Sequence, residues 1–191
     1  MIMWCGMGYT KKLIKTVFFV LFFSFFVSSC DCPEKIPVTK ERLADKVLHK
    51  AAVALKKEKS LYACGSGGGM MYEIRMLSLS FFYYKPITIE EGRELVIYAA
   101  QKLANEINAE SRIHPYLSKY PFPPTRTDIR IFVKNLDHTS MQEGDASIVT
   151  LIEGIIEYKV NDPTTNRLRT VYQETYEEGV EKLQKPQQRL T

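Results

Sequence analysis

The run TIEEGRELVIYAAQKLANEIN, Thr88 to Asn108, sets the architecture of this 191-residue chain. Thr88 followed by Glu91 matches a capping box, in which the threonine hydroxyl takes the third helical amide and the glutamate carboxylate returns to the cap amide. Gly92, Val96, Ala99, Ala100, Leu103 and Ile107 then recur with the helical period and form one apolar stripe. Such a stripe needs a second layer to cover. Upstream, Met71 to Tyr84 is rich in aromatic and aliphatic residues and reads as a long strand that Pro86 ends. Downstream, Ile129, Ile131 and Val133 alternate with Arg130, Phe132 and Lys134, the pattern of a strand over Asp128 to Lys134. The helix is therefore expected to lie across a sheet.

Thr39 reads as the N-cap of an earlier helix, with Leu43, Val47, Leu48, Ala51, Ala54 and Leu55 on one face. Lys40, Lys46, Lys50, Lys56, Lys57 and Lys59 occupy most of the remainder, as a solvated face or a contact for anionic headgroups. Gly65-Ser66-Gly67-Gly68-Gly69 reads as a hinge between this helix and the sheet. Ser147 to Val160 reads as another long strand with a bulge at Glu153-Gly154. After a turn at Asn161 to Asn166, Arg167 to about Gln173 pairs back as a hairpin arm. A short amphipathic helix follows at Thr175 to Leu183, and the chain frays from Pro186. The expected fold is α+β in two layers: an antiparallel sheet of about four strands with helices mainly on one face. One such domain spans residues 39–185, and residues 186–191 form a tail.

The start of the chain has a different character. Lys11, Lys12 and Lys15 precede an apolar run from Val17 to Val27 broken only by Ser24, and no acidic residue comes before Asp31. That is the layout of an export signal, and the run is shorter than the ~20 residues of a membrane-spanning helix. Met3 and Met7 are alternative initiators, since the first six residues add nothing an export signal needs. Val27-Ser28-Ser29-Cys30 resembles a bacterial lipobox. The resemblance implies that signal peptidase II removes residues 1–29, that Cys30 is lipidated, and that the mature protein hangs from a membrane through a tether over residues 30–38. Asp31 directly after that cysteine implies retention at the inner membrane, facing the periplasm, under the rule of many double-membrane bacteria; the outer membrane is the alternative.

Without the three signal lysines, the 26 basic residues become 23 against 22 acidic ones. A chain so nearly neutral lacks the basic footprint of a nucleic-acid binder. Cys5 leaves with the signal, so Cys32 and Cys64 remain, either bonded to each other or as free thiols.

Cofactor motifs are missing. The glycine run has no Gly-Lys-Ser/Thr and no dinucleotide fingerprint, and an anion-binding nest is its remaining functional reading. Two cysteines without a matching histidine pair do not make a zinc site. His49, His114 and His138 are dispersed, and His49 among lysines reads as solvated. Ser66 lacks the Gly-x-Ser-x-Gly elbow, and Cys64 with His114 is a weak thiol pair. Glu90 and Glu91 serve the helix start. Asp128, Asp137, Glu143 and Asp145 show no pairing for acid–base work, and Asp137, Glu143 and Asp145, which share a polar loop, lack the calcium-loop pattern. His114 to Pro124, with Pro115, Pro121, Pro123 and Pro124, carries Tyr116, Tyr120 and Phe122 on a stiff path. These rings form either an aromatic contact surface or pins that hold a crossing loop to the sheet. Two function classes result: a non-catalytic envelope lipoprotein that binds a protein, peptide or glycan, and an exported hydrolase-like enzyme with a site assembled from distant residues.

Overall fold

The computed structural model describes residues 39–137, 146–162, 164–165 and 167–185. In chain order the elements are α1 (Lys40–Lys59), β1 (Tyr62–Gly69), β2 (Met76–Tyr83), α2 (Ile89–Ala109), β3 (Thr127–Val133), β4 (Ile148–Ile152), β5 (Ile155–Asp162), β6 (Arg167–Thr175) and α3 (Tyr176–Gln184). Two short 3-10 helices, Ser111–Tyr116 and Pro124–Arg126, bridge α2 to β3.

The class is α+β, with six strands in the order β1-β2-β3-β4-β5-β6 rather than about four. The sheet is mixed. Every neighbouring pair is antiparallel except β2 and β3, which run parallel from Leu77 opposite Thr127 to Tyr83 opposite Val133. A parallel pair requires a crossover, and α2 supplies it. Two misread segments account for the extra strands. The glycine run is not a hinge but most of β1, which pairs with β2 from Tyr62 opposite Phe82 to Gly69 opposite Met76. Glycine weakens a strand but permits close approach. A Cβ at Gly68 would lie 2.8 Å from the Met76 carbonyl oxygen, so a side chain there has no room. Glu153 and Gly154 are not a bulge within one strand. Their φ values of 50° and 80° make a two-residue turn that folds Ser147 to Val160 into the β4–β5 hairpin.

The helix starts follow the sequence. Thr39 accepts from the Arg42 amide at 3.4 Å, and Thr88 and Thr175 each form a complete capping box, with Glu91 and Glu178 respectively. All three helices lie on one face of the sheet, α1 against β1 and β2, α2 against β3, β4 and β5, and α3 against β5 and β6. The core between the layers follows the strand register. Leu79, Ile129, Leu151 and Ile156 form one buried row; Phe81, Ile131, Val149 and Tyr158 form the next. Val96, Ala99, Ala100, Leu103 and Ile107 of α2 cover them, as the stripe requires.

Candidate functional site: the groove between α1 and β1

Four residues of α1 at helical spacing, Asp45, Leu48, His49 and Ala52, face β1 and not α2. With Ala63, Gly65 and Ser66 of β1 and Leu79 of β2, they line an open groove of about 360 Å³. That volume is within the range of small-ligand sites, about 300–1,000 Å³. Its floor is apolar, because Leu48 and Leu79 are buried, while Asp45, His49 and Ser66 are exposed at its rim. The small side chains of β1 keep the groove wide. Helix register explains why the lysines stay out of it. Lys46 and Lys50 reach across to α2, with Nζ–carboxylate distances of 3.0 Å to Glu110 and 2.6 Å to Glu106. Lys59 donates to Glu94 at 2.7 Å, and Lys40 donates to the carbonyl oxygens of Met71 and Tyr72. Glu110, shared by Arg112 and Lys46, is held at about 2 by those two cations. The lysine face of α1 is thus solvated, with Lys46, Lys50, Lys56 and Lys57 exposed, and Lys46, Lys50 and Lys59 on it also pair with glutamates.

β1 forms one edge of the sheet among the described residues and is exposed along almost its whole length. An edge strand leaves a row of backbone N–H and C=O groups without ladder partners. The groove is lined by the same strand.

The structure brings His49 and Ser66 to the same groove as Asp45, a juxtaposition that their separation in sequence hides. Among the described residues no hydrogen bond joins the three to one another. Nucleophilic catalysis relies on a serine bonded to a base that a third group orients. Cys64 is an exposed thiol on β1 without a disulfide among the described residues, and partial burial raises its pKa. Cys32, the other cysteine of that pair, lies outside the described residues, as do Cys30, the lipobox, His138, Glu143 and Asp145. His114 does not meet Cys64. It sits in the first 3-10 helix with Nε2 2.8 Å from the Asn108 carbonyl oxygen, and its ring lies 4.3 Å from that of Tyr120. Asp128 is buried beside Arg130 at 3.5 Å, and desolvation raises its pKa.

The expected aromatic surface divides. Phe122 is 1% exposed and belongs to the core. Its amide donates to Asn108 Oδ1 at 2.7 Å, and its carbonyl oxygen accepts from Asn108 Nδ2 at 3.0 Å, so α2 clamps the proline-rich crossing at that point. Phe122 therefore drops out of any contact surface. Tyr116 at 38% and Tyr120 at 59% remain exposed.

A second polar cluster lies at the far end of the helix layer, where the Glu174 carboxylate is 1% exposed. It accepts from Arg93 Nε, the Tyr158 hydroxyl and Lys182 Nζ, each at 2.7 Å. These bonds tie α2, β5 and α3 to β6. With every oxygen engaged by the fold, this cluster is structural. Among the described residues no group of three His, Cys, Asp or Glu side chains is placed to hold a metal ion, and no helix is long and apolar enough to cross a membrane. Comparison of the chain with protein-family models, with curated proteins and with solved structures finds no match.

Proposed function

We propose that this chain is a lipid-anchored envelope protein whose α+β domain is a non-catalytic binding module, with the α1–β1 groove as its site. Cys30 is the anchor in this reading, and Asp31 favours the inner membrane. One observation carries the choice of site: an apolar-floored groove is lined by the strand that forms a sheet edge among the described residues. Groove and edge together offer a ligand apolar contact and backbone hydrogen bonds. The enzyme reading draws on the shared groove of Ser66, His49 and Asp45. The absence of hydrogen bonds among them, with all three exposed, favours binding over catalysis.

Photo-crosslinking in the native host tests the site. A photoreactive residue at Ser66 is expected to yield a discrete adduct, and one at Glu181 on α3 is expected to yield none. Equal adducts from both positions, or none from Ser66, would remove the groove as the binding site.

A further inference from the structure

We infer that the groove takes an extended peptide segment of a partner protein, which adds to the sheet as a further strand outside β1, with an apolar side chain on the groove floor and a basic one beside it. This rests on the binding-module reading above and names its ligand class.

The first argument is the difference between the two edges of the sheet. β6, at one edge, exposes Arg167 and Arg169. Charged side chains on an edge discourage further pairing. β1, at the other, reads Tyr-Ala-Cys-Gly-Ser-Gly-Gly-Gly and has neither a charge nor a proline over eight residues. Its small side chains let a second backbone approach along its length. Strand addition uses main-chain hydrogen bonds for affinity and pockets for alternate side chains for specificity. Here the pocket is present on the α1 side of β1, with Leu48 and Ala52 of α1 in its lining and Leu79 of β2 on its inner side, and every second side chain of an added strand lies on one side of the sheet.

The second argument is charge. Asp45 is the only carboxylate lining the groove, and it makes no ion pair among the described residues. The neighbouring Lys46 and Lys50 are bound to Glu110 and Glu106 of α2. An incoming cation therefore meets an unopposed carboxylate one helical turn from the apolar floor. A second copy of this chain fits less well. Its own β1 carries no cation, and Gly65 to Gly69 carry no apolar side chain to fill the floor. A glycan brings no strand of amides to the open edge.

The test uses the full-length chain in detergent and a fluorescent probe peptide, Thr-Lys-Thr-Leu-Thr-Lys-Thr. The symmetric lysines serve either strand direction. Binding is expected with slowed hydrogen exchange in β1. Replacing both lysines of the probe by glutamate is expected to weaken binding by about tenfold or more, and Asp45→Asn should remove most of that preference. Two further probes are N-methylated on alternate sets of residues. Only one set of amides faces β1 in an added strand, so one methylated probe should lose binding and the other keep it. Ser66→Trp, an exposed substitution that fills the groove, should abolish binding without moving the melting temperature. Equal binding of both methylated probes overturns strand addition. Absence of β1 protection overturns it too, as does a chain dimerised through β1 that excludes the probe, or displacement of the probe by a soluble glycan fragment. A crosslinked adduct at Ser66 with no strand signature would retain the binding module and discard the peptide. A strand signature with no adduct in the host would discard the groove as the native site, and the proposal with it.

Discussion

At Glu174 three side-chain donors converge on one buried carboxylate. A carboxylate that is 1% exposed and meets Arg93, Lys182 and Tyr158 at 2.7 Å joins the last strand to three other elements. Burial alone would raise its pKa; the bonds from Arg93, Lys182 and Tyr158 outweigh burial and hold it below the ordinary 4.5. Such a group contributes stability in full above its unfolded pKa, and that contribution is lost as pH falls through the depressed folded value. Glu174→Gln leaves Arg93 buried against a neutral partner and is expected to cost about 3–5 kcal/mol, the range for breaking a buried pair. Urea unfolding from neutral pH downward checks both points. Below pH 4.5 the wild-type midpoint should fall more steeply than that of the variant. Parallel curves would mean that another carboxylate governs acid unfolding.

At the scale of elements, the β4–β5 turn is the sharpest local test. Gly154 has φ of 80° and Glu153 has φ of 50°, so both central residues occupy the left-handed region. A side chain costs roughly 1–2 kcal/mol there. Gly154→Ala is expected to destabilise by about that amount, whereas Glu153→Asn should raise the melting temperature, because asparagine tolerates this conformation. A neutral Gly154→Ala would show that the turn relaxes. This element also shows what the sequence conveyed and what it did not. The capping box at Thr88, the stripe through Leu103 and the alternation in β3 are local patterns with one physical solution, and the structure follows them. Glu153-Gly154 within Ser147 to Val160 was ambiguous, since the same two residues suit a bulge or a turn, and only the pairing of Leu151 with Ile156 decides. β1 was hidden for a different reason. Glycine carries little strand propensity, and this segment becomes a strand because β2 lies beside it. The groove inherits that difficulty. Asp45 and His49 gain a role only once Ser66 is seen to be part of a strand, and nothing local to α1 announces it.

At the scale of the molecule, the proposed membrane attachment falls to the lipid on Cys30, because the described domain offers little for it. A cytoplasmic-type electrostatic attachment would need free lysines, each contributing about 1 kcal/mol beside an anionic surface. On α1, Lys46, Lys50 and Lys59 are already matched by Glu110, Glu106 and Glu94, and Lys40 is spent on two carbonyl oxygens, which leaves Lys56, over the Tyr62 ring, and Lys57 for a surface. Beyond residue 29 the chain has only one more basic than acidic residue. Acyl chains, at about 0.8 kcal/mol for each buried CH₂, exceed anything such a surface supplies. Attachment should therefore depend chiefly on Cys30. A clickable fatty acid is expected to label the native chain and not Cys30→Ser. The chain from Asp31 onward, exported behind an ordinary cleavable signal, is expected in the soluble fraction after cell fractionation at physiological salt. Sedimentation of that lipid-free protein with membranes, released by high salt, would show that the lysine face binds headgroups despite its glutamate partners. Equal labelling of wild type and Cys30→Ser would remove the lipid anchor itself.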